Sequence, residues 1–135
     1  MPDLLFNEEI FRLKRKLNTG LVHSIWLQFG SDYELLDKRI ILLKKIVSTT
    51  LKCESITSNI FLYGSILIPS KQFLARFNYR PWKGVYCSSS FLGSVEFAFE
   101  NVRHILKIYN KHNIIPIIET NTSTDNELDN LKRLI

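Results

Sequence analysis

The sequence predicts a single α/β domain: a small mixed sheet with helices packed on it, in the order N-terminal helix, β-α-β-β-α-β, C-terminal helix. Three observations predict it. A chain of 135 residues fits one domain and not two ordinary ones. Val95, Ala98, Phe99, Val102, Ile105, Leu106 and Tyr109 recur at helical spacing, and the apolar run 114–118 follows them directly. Hydrophobic residues make up 45% of the chain and charged ones 23%, the balance of a protein that buries a core rather than one that stays disordered.

Residues 7–17 predict a short helix, with Ile10, Leu13 and Leu17 on one face and Arg12, Lys14, Arg15 and Lys16 elsewhere. Asn7 is its candidate cap and Gly20 its stop, so residues 1–20 form an N-terminal helical unit. Residues 21–29 predict a strand from Val22, Ile25, Trp26, Leu27 and Phe29, closed by Gly30-Ser31. Ser31-Asp32-Tyr33-Glu34 has the form of a capping box, with Ser31 and Glu34 satisfying each other's amide groups. The helix behind it carries Leu36, Ile40, Leu43 and Val47 to about residue 48. Residues 51–56 predict a short strand. In 59–67, Phe61, Tyr63 and Ser65 alternate with Leu62, Gly64 and Ile66, which fits either a strand or an irregular segment.

Residues 68–82 read as a loop or short helix rather than a core element, because Pro69 and Pro81 bracket them. Residues 85–91 are small enough in side chain for a closely packed strand, and Ser94 caps the clearest helix, about 27 Å in length. The near-continuous apolar run 114–118 predicts a strand buried on both faces. Thr124 and Glu127 form a second capping box, opening a last helix through Leu128, Leu131 and Leu134. The α/β core then spans 21–118 and the C-terminal helix 122–135.

The formal charge is +5, from 18 Lys and Arg against 13 Asp and Glu, and it favours a polyanionic partner such as nucleic acid. The two cysteines, Cys53 and Cys87, make neither a disulfide framework nor a zinc pattern and read as buried thiols. No apolar run approaches the ~18 residues that would cross a bilayer. The acidic N-terminus resembles neither a secretory signal nor an Arg-rich transit peptide. Heavy use of Ile, Lys, Asn, Phe and Ser fits an AT-rich, organelle-type coding sequence.

Enzymatic signatures do not emerge. His104 and His112 lie eight apart on a helix, without an Asp, Glu or Cys at ligand spacing, and with His23 they read as surface residues. The five glycines are scattered singly, so no phosphate loop forms, and no nucleophile elbow or carboxylate pair at a strand end is present. No catalytic residue, metal or cofactor is expected. Binding chemistry does emerge. Lys71, Arg76, Arg80 and Lys83 interleave with Phe73, Phe77, Tyr79 and Trp82, an arrangement that can neutralise phosphates while rings stack on unpaired bases, or that can simply cover the edge of the core. Lys38-Arg39 with Lys44-Lys45 is a second basic group, or an ordinary solvated helix face.

The element order and several local patterns resemble the ribosomal stalk-base family, the tenth protein of the bacterial large subunit, called P-zero in eukaryotes. Ser58-Asn59-Ile60-Phe61 corresponds to the family's basic-Asn-Thr-Leu motif and Lys83-Gly84-Val85 to its Lys-Gly-Pro turn. The helix ending Leu106-Lys107-Ile108-Tyr109-Asn110-Lys111-His112-Asn113 is the nearest match, and residues 127–134 match the final leucine helix. The resemblance covers nearly the whole chain. It implies a domain that grips large-subunit ribosomal RNA beside the eleventh protein of that subunit, in a mitochondrial ribosome and with a possibly organelle-encoded chain. Ser58 and Ser55 stand where the family has basic residues, and the chain ends at Ile135, where the family's helix for stalk-protein dimers begins. Stalk-dimer binding is therefore expected only if that helix is supplied elsewhere. The RNA-binding set expected on these grounds is Lys38, Arg39, Lys52, Asn59, Lys71, Arg76, Arg80 and Lys83.

Two small-subunit families offer rival resemblances. Residues 32–38, 64–71 and Phe99-Glu100 with His104 resemble the tenth small-subunit protein, although that family has a loop and strand where this chain has helical periodicity. Leu74-Ala75 with Gly84, Tyr86 and Phe91 resembles the sixth. Outside the ribosome, the alternative is a protein-interaction subunit of an organellar membrane complex.

Overall fold

The structure, a computed structural model, describes residues 3–51, 60–120 and 123–134. Its helices are α1 (Asp3–Leu17), α2 (Tyr33–Leu51), α3 (Lys71–Tyr79), α4 (Ser89–Gly93), α5 (Val95–Lys111) and α6 (Asp125–Leu134). Its strands are β1 (Ser24–Leu27), β2 (Phe61–Leu67) and β3 (Ile115–Glu119). They form one α/β domain around a three-stranded sheet of order β1-β2-β3, parallel at both pairings. The predicted fold class holds, and the two pairings are of one kind.

Strand alternation and register decide which residues meet the helices. A Cβ added at Gly64 would overlap the Tyr109 ring, so Gly64 lies directly under α5. Leu62 and Ile66 share that face by alternation, as do their register partners Ile25 and Ile118, and Leu27, the partner of Gly64. Tyr109, Ile105, Val102 and Ala98 press on it from α5, all at or below 1% exposure. A satellite cluster of Leu17, Ile46 and Val47, with Ile10, Leu13 and Ile25 around it, seats α1 on α2.

Local chemistry sets the ends of α5. Ser94 Oγ accepts from the Phe97 amide at 3.2 Å. At the other end Asn113 takes φ +56°, the Ile114 amide donates to the Tyr109 carbonyl at 2.8 Å, and the Asn113 amide donates to that of Asn110 at 3.2 Å. That is a Schellman closure with Asn in the left-handed position. It feeds the chain into β3.

Several expectations are corrected. α1 begins at Asp3, so Asn7 lies inside the helix rather than capping it. Asp32, not Ser31, caps α2, its Oδ1 accepting from the Leu35 amide at 2.9 Å. Ser31 is otherwise engaged: its amide donates to the Tyr86 carbonyl at 2.9 Å and its Oγ accepts from the Ser88 amide at 2.7 Å. Its carbonyl accepts from Asn101 Nδ2 at 2.7 Å. The strand expected at 85–91 is reduced to a single parallel bridge, Tyr86 with Gly30. Beyond it Ser88 caps α4 by accepting from the Phe91 amide, because hydroxyls that compete for backbone donors favour helix starts over a ladder. Residues 71–79 form a helix that does enter the core, through Leu74 and Phe77. β3 is an edge strand, with Ile115 46% exposed rather than buried on both faces. The capping box at Thr124 and Glu127 forms as expected, whereas the strand predicted over 51–56 begins at the last residue of α2 and otherwise lies outside the described residues.

Gly64→Ala is expected to destabilise the fold by about 2–3 kcal/mol in urea unfolding, since the added methyl overlaps a fully buried ring. Combining it with Tyr109→Leu should give a loss smaller than the sum of the two single changes; an additive cycle would show that the two side chains do not share that space.

Candidate nucleic-acid interface

Ser70 starts α3 by accepting from the Phe73 amide at 3.1 Å. Leu74 and Phe77 fix which side of the helix faces inward. Phe73, Phe77 and Trp82 then close into one aromatic cluster, with ring centroids 5.6–6.1 Å apart. The turn that returns Trp82 to this cluster is tight: the Val85 amide donates to the Trp82 carbonyl at 3.2 Å, and Gly84 has φ +85°.

Phe77 is buried in this cluster while Trp82 stays half-exposed; the outer side of α3 carries Arg76 and Tyr79, three residues apart, and Arg80 follows as the C-cap, its amide donating to the Arg76 carbonyl. Tyr79 is 92% exposed, and Arg76, Arg80 and Lys83 are also exposed. Among the described residues these three cations make no ion pair. Lys71, at the start of the helix, sits beside Glu96. The Glu96 carboxyl is held below its usual range chiefly by its own amide and the Ser94 hydroxyl, with a smaller contribution from Lys71. A groove of about 500 Å³ between α3 and the start of α5 is lined by Lys71, Ala75, Asn78 and Glu96.

The other expected residues lie elsewhere. Lys38 is exposed on α2. The Arg39 guanidinium lies 4.0 Å from the centre of the Phe6 ring, a cation–π contact that fastens α1 to α2. Lys52 and Asn59 fall outside the described residues. α1 packs on α2, α2 on α5, α5 on α4 and α4 on α3. The α2 and α3 cations therefore sit at different places in the helical layer; Arg76 and Tyr79 share the outer side of α3, Arg80 caps its end, and Lys83 is exposed in the turn that follows.

The histidines do structural work. His104 stacks on Tyr33, with centroids 4.7 Å apart and planes 15° apart. His112 is tucked against Asp37, Nε2 to Oδ1 2.6 Å, with the imidazole N–H donating because a carboxylate only accepts. Lys111 Nζ lies 3.0 Å from the same carboxylate, and Lys44 Nζ donates to the His112 carbonyl at 2.8 Å. These bonds clamp α2 to the end of α5. Among the described residues no group of three potential metal ligands occurs. Burial pushes the Cys87 thiol up to about 11.

The sequence reading missed one surface. On the sheet face turned away from α5, Trp26 is 67% and Phe61 58% exposed, next to Ile115, with Tyr63 and Ile117 half-buried. The alternation of Phe61, Tyr63 and Ser65 was visible, but that their side of the sheet is left open follows from where the helices go. No protein family, curated protein or solved structure matches the chain.

His112 first, then Lys111, holds the Asp37 carboxyl below its ordinary value of 3.8. A carboxylate whose native pKa lies below its unfolded value contributes stability above the unfolded value and loses it as pH falls through the native one. The difference in urea midpoint between the parent and Asp37→Asn should therefore be widest near neutral pH and close under strong acid. A difference that stays constant with pH would exclude the clamp.

Proposed function

We propose that the protein is a structural RNA-binding constituent of the large ribosomal subunit, placed at the stalk base of a mitochondrial ribosome. The observation that carries this reading is the exposed Arg76 and Tyr79 on the outer side of α3, followed by exposed Arg80 and Lys83, three cations without carboxylate partners among the described residues beside a helix held by its buried face. Such cations release condensed counterions when they meet phosphates, and a freely exposed ring offers a stacking surface to an unpaired base. The net charge of +5 works in the same direction by drawing the chain toward a polyanion.

The resemblance of the element order and of the α5 ending to the stalk-base family supplies the particular placement, with large-subunit ribosomal RNA as ligand and the eleventh protein of that subunit as neighbour. Lys38 supplies a further cation on α2. Binding of stalk-protein dimers is no part of the proposal for these residues.

Filter binding to a large-subunit ribosomal RNA fragment over graded salt tests it. Affinity should fall steeply and linearly on a log–log plot. Arg76→Ala with Arg80→Ala should flatten the slope by about 1.5, the loss of two phosphate contacts. Unchanged slope and affinity would remove α3 from the interface, and no binding at low salt would overturn the RNA reading. Co-sedimentation with the small subunit would overturn the placement alone.

A further inference from the structure

The sheet face turned away from α5 is closed at one end and open at the other. Ser65 and Leu67 are buried there, at 8% and 4% exposure, whereas Trp26, Phe61 and Ile115 stand open at 67%, 58% and 46%. Parallel sheets ordinarily have both faces covered, so an open face of this composition calls for a partner.

Two features identify the kind of partner. The first is the array of rings. Trp26 and Tyr63 are register partners on adjacent strands, their centroids 5.6 Å apart and planes tilted by 47°. Phe61 lies two residues before Tyr63 on β2, hence on the same face about 6.6 Å along the strand. Three rings thus stand side by side on a support that does not need ordering when something stacks on them. The second feature is the charge around them. Of the β1, β2 and β3 residues directed to this face, Glu119 is the one carboxylate, and it lies on the last rung, opposite Leu67, at the closed end. At the open end, Phe61 and Ile115 help to wall a groove of about 730 Å³ that Lys44, Lys45, His112 and Asn113 also line. Lys45 makes no ion pair among the described residues, and Lys44 Nζ donates to the His112 carbonyl. An apolar protein segment would leave the rim lysines unused, and an acidic peptide would press its carboxylates onto rings. A single strand of nucleic acid uses both, through π-faces of its bases and phosphates of its backbone.

We infer that this open face is a platform for single-stranded RNA, on which bases stack against Trp26, Phe61 and Tyr63 while the backbone turns round the open end of the sheet into the groove that Lys44 and Lys45 line from α2. The inference rests on the RNA reading above and adds to the phosphate-dominated contact of α3 a second, base-stacking one. A protein contacting RNA at both places would favour a junction, with duplex on the α3 side and unpaired nucleotides on the sheet.

Trp26 and Trp82 are the only tryptophans, so in a Trp82→Phe background the indole emission reports on Trp26 alone. Titration with an oligouridylate single strand should quench that emission, and a blunt RNA duplex should leave it unmoved. Trp26→Leu and Phe61→Leu, each made in the otherwise native chain, should weaken single-strand binding about tenfold with duplex affinity retained. Both side chains are largely exposed, and circular dichroism melting checks that the variants fold. RNA binding that leaves Trp26 emission and the Trp26→Leu affinity unchanged overturns the platform while the RNA reading stands. A concentration-dependent dimer that Trp26→Leu abolishes assigns the face to a second protein copy and also overturns it. If neither RNA binds at the lowest salt, both readings fall together.

Discussion

The Tyr109 ring lies against the backbone of Gly64, and most of the architecture follows from that contact. Only glycine lets a helix come this close to the central strand. The tyrosine is 1% exposed, and its hydroxyl donates to the Ser65 carbonyl at 3.2 Å, so the polar end of the ring is satisfied where it is buried. The same residue supplies the carbonyl that closes α5 by accepting from the Ile114 amide. One side chain therefore sets the depth of α5 over the sheet while its own backbone sets where the chain leaves α5 for β3. With α5 fixed here and α2 clamped to it, both long helices occupy one side, and much of the other side of the sheet is left open.

Ser31 does for the loops what Tyr109 does for the layers. Its amide, hydroxyl and carbonyl each hold a different segment: the Tyr86 bridge, the α4 cap at Ser88, and Asn101 in the middle of α5. Ser31 is 4% exposed, so these bonds form away from water, where losing a partner is costly. The loop that leads from α3 back to the core is thereby pinned close to the aromatic cluster of Phe73, Phe77 and Trp82. Arg76 and Tyr79 project from an anchored helix and not from a wandering loop, an arrangement that would limit the entropy lost on binding.

Patterns that act over one or two turns of chain were legible in the sequence. The stripe on α5, the Ser94 cap and the Thr124–Glu127 box all rest on neighbours within a few residues, and all formed. Asn113 at the end of α5 has a local cause too, since a left-handed residue ends the helix there. The failures share a cause as well. Whether Ser31 caps its own helix depends on the Ser88 amide, 57 residues away. Whether an apolar run is a central or an edge strand depends on how many strands lie beside it, and periodicity carries no such count. In the candidate interface, the cations of α3 could be named from the sequence, but not which aromatics would be consumed by packing: Phe73 and Phe77 went inward and Tyr79 did not. The open sheet face escaped notice because openness is a property of the helical layer, not of the strands.

Pro116 lies in the middle of β3, opposite Gly64. The Glu119 carbonyl accepts from the Ile68 amide, so the backbone groups of 115, 117 and 119 turn toward β2 and those of 116 and 118 turn outward. Proline thus removes a donor from the free rim and leaves the paired rim whole. A strand from another molecule approaching that rim would find a gap in its ladder. Crowded copies of this protein are thereby discouraged from growing edge to edge into fibres, even with an apolar strand at the margin.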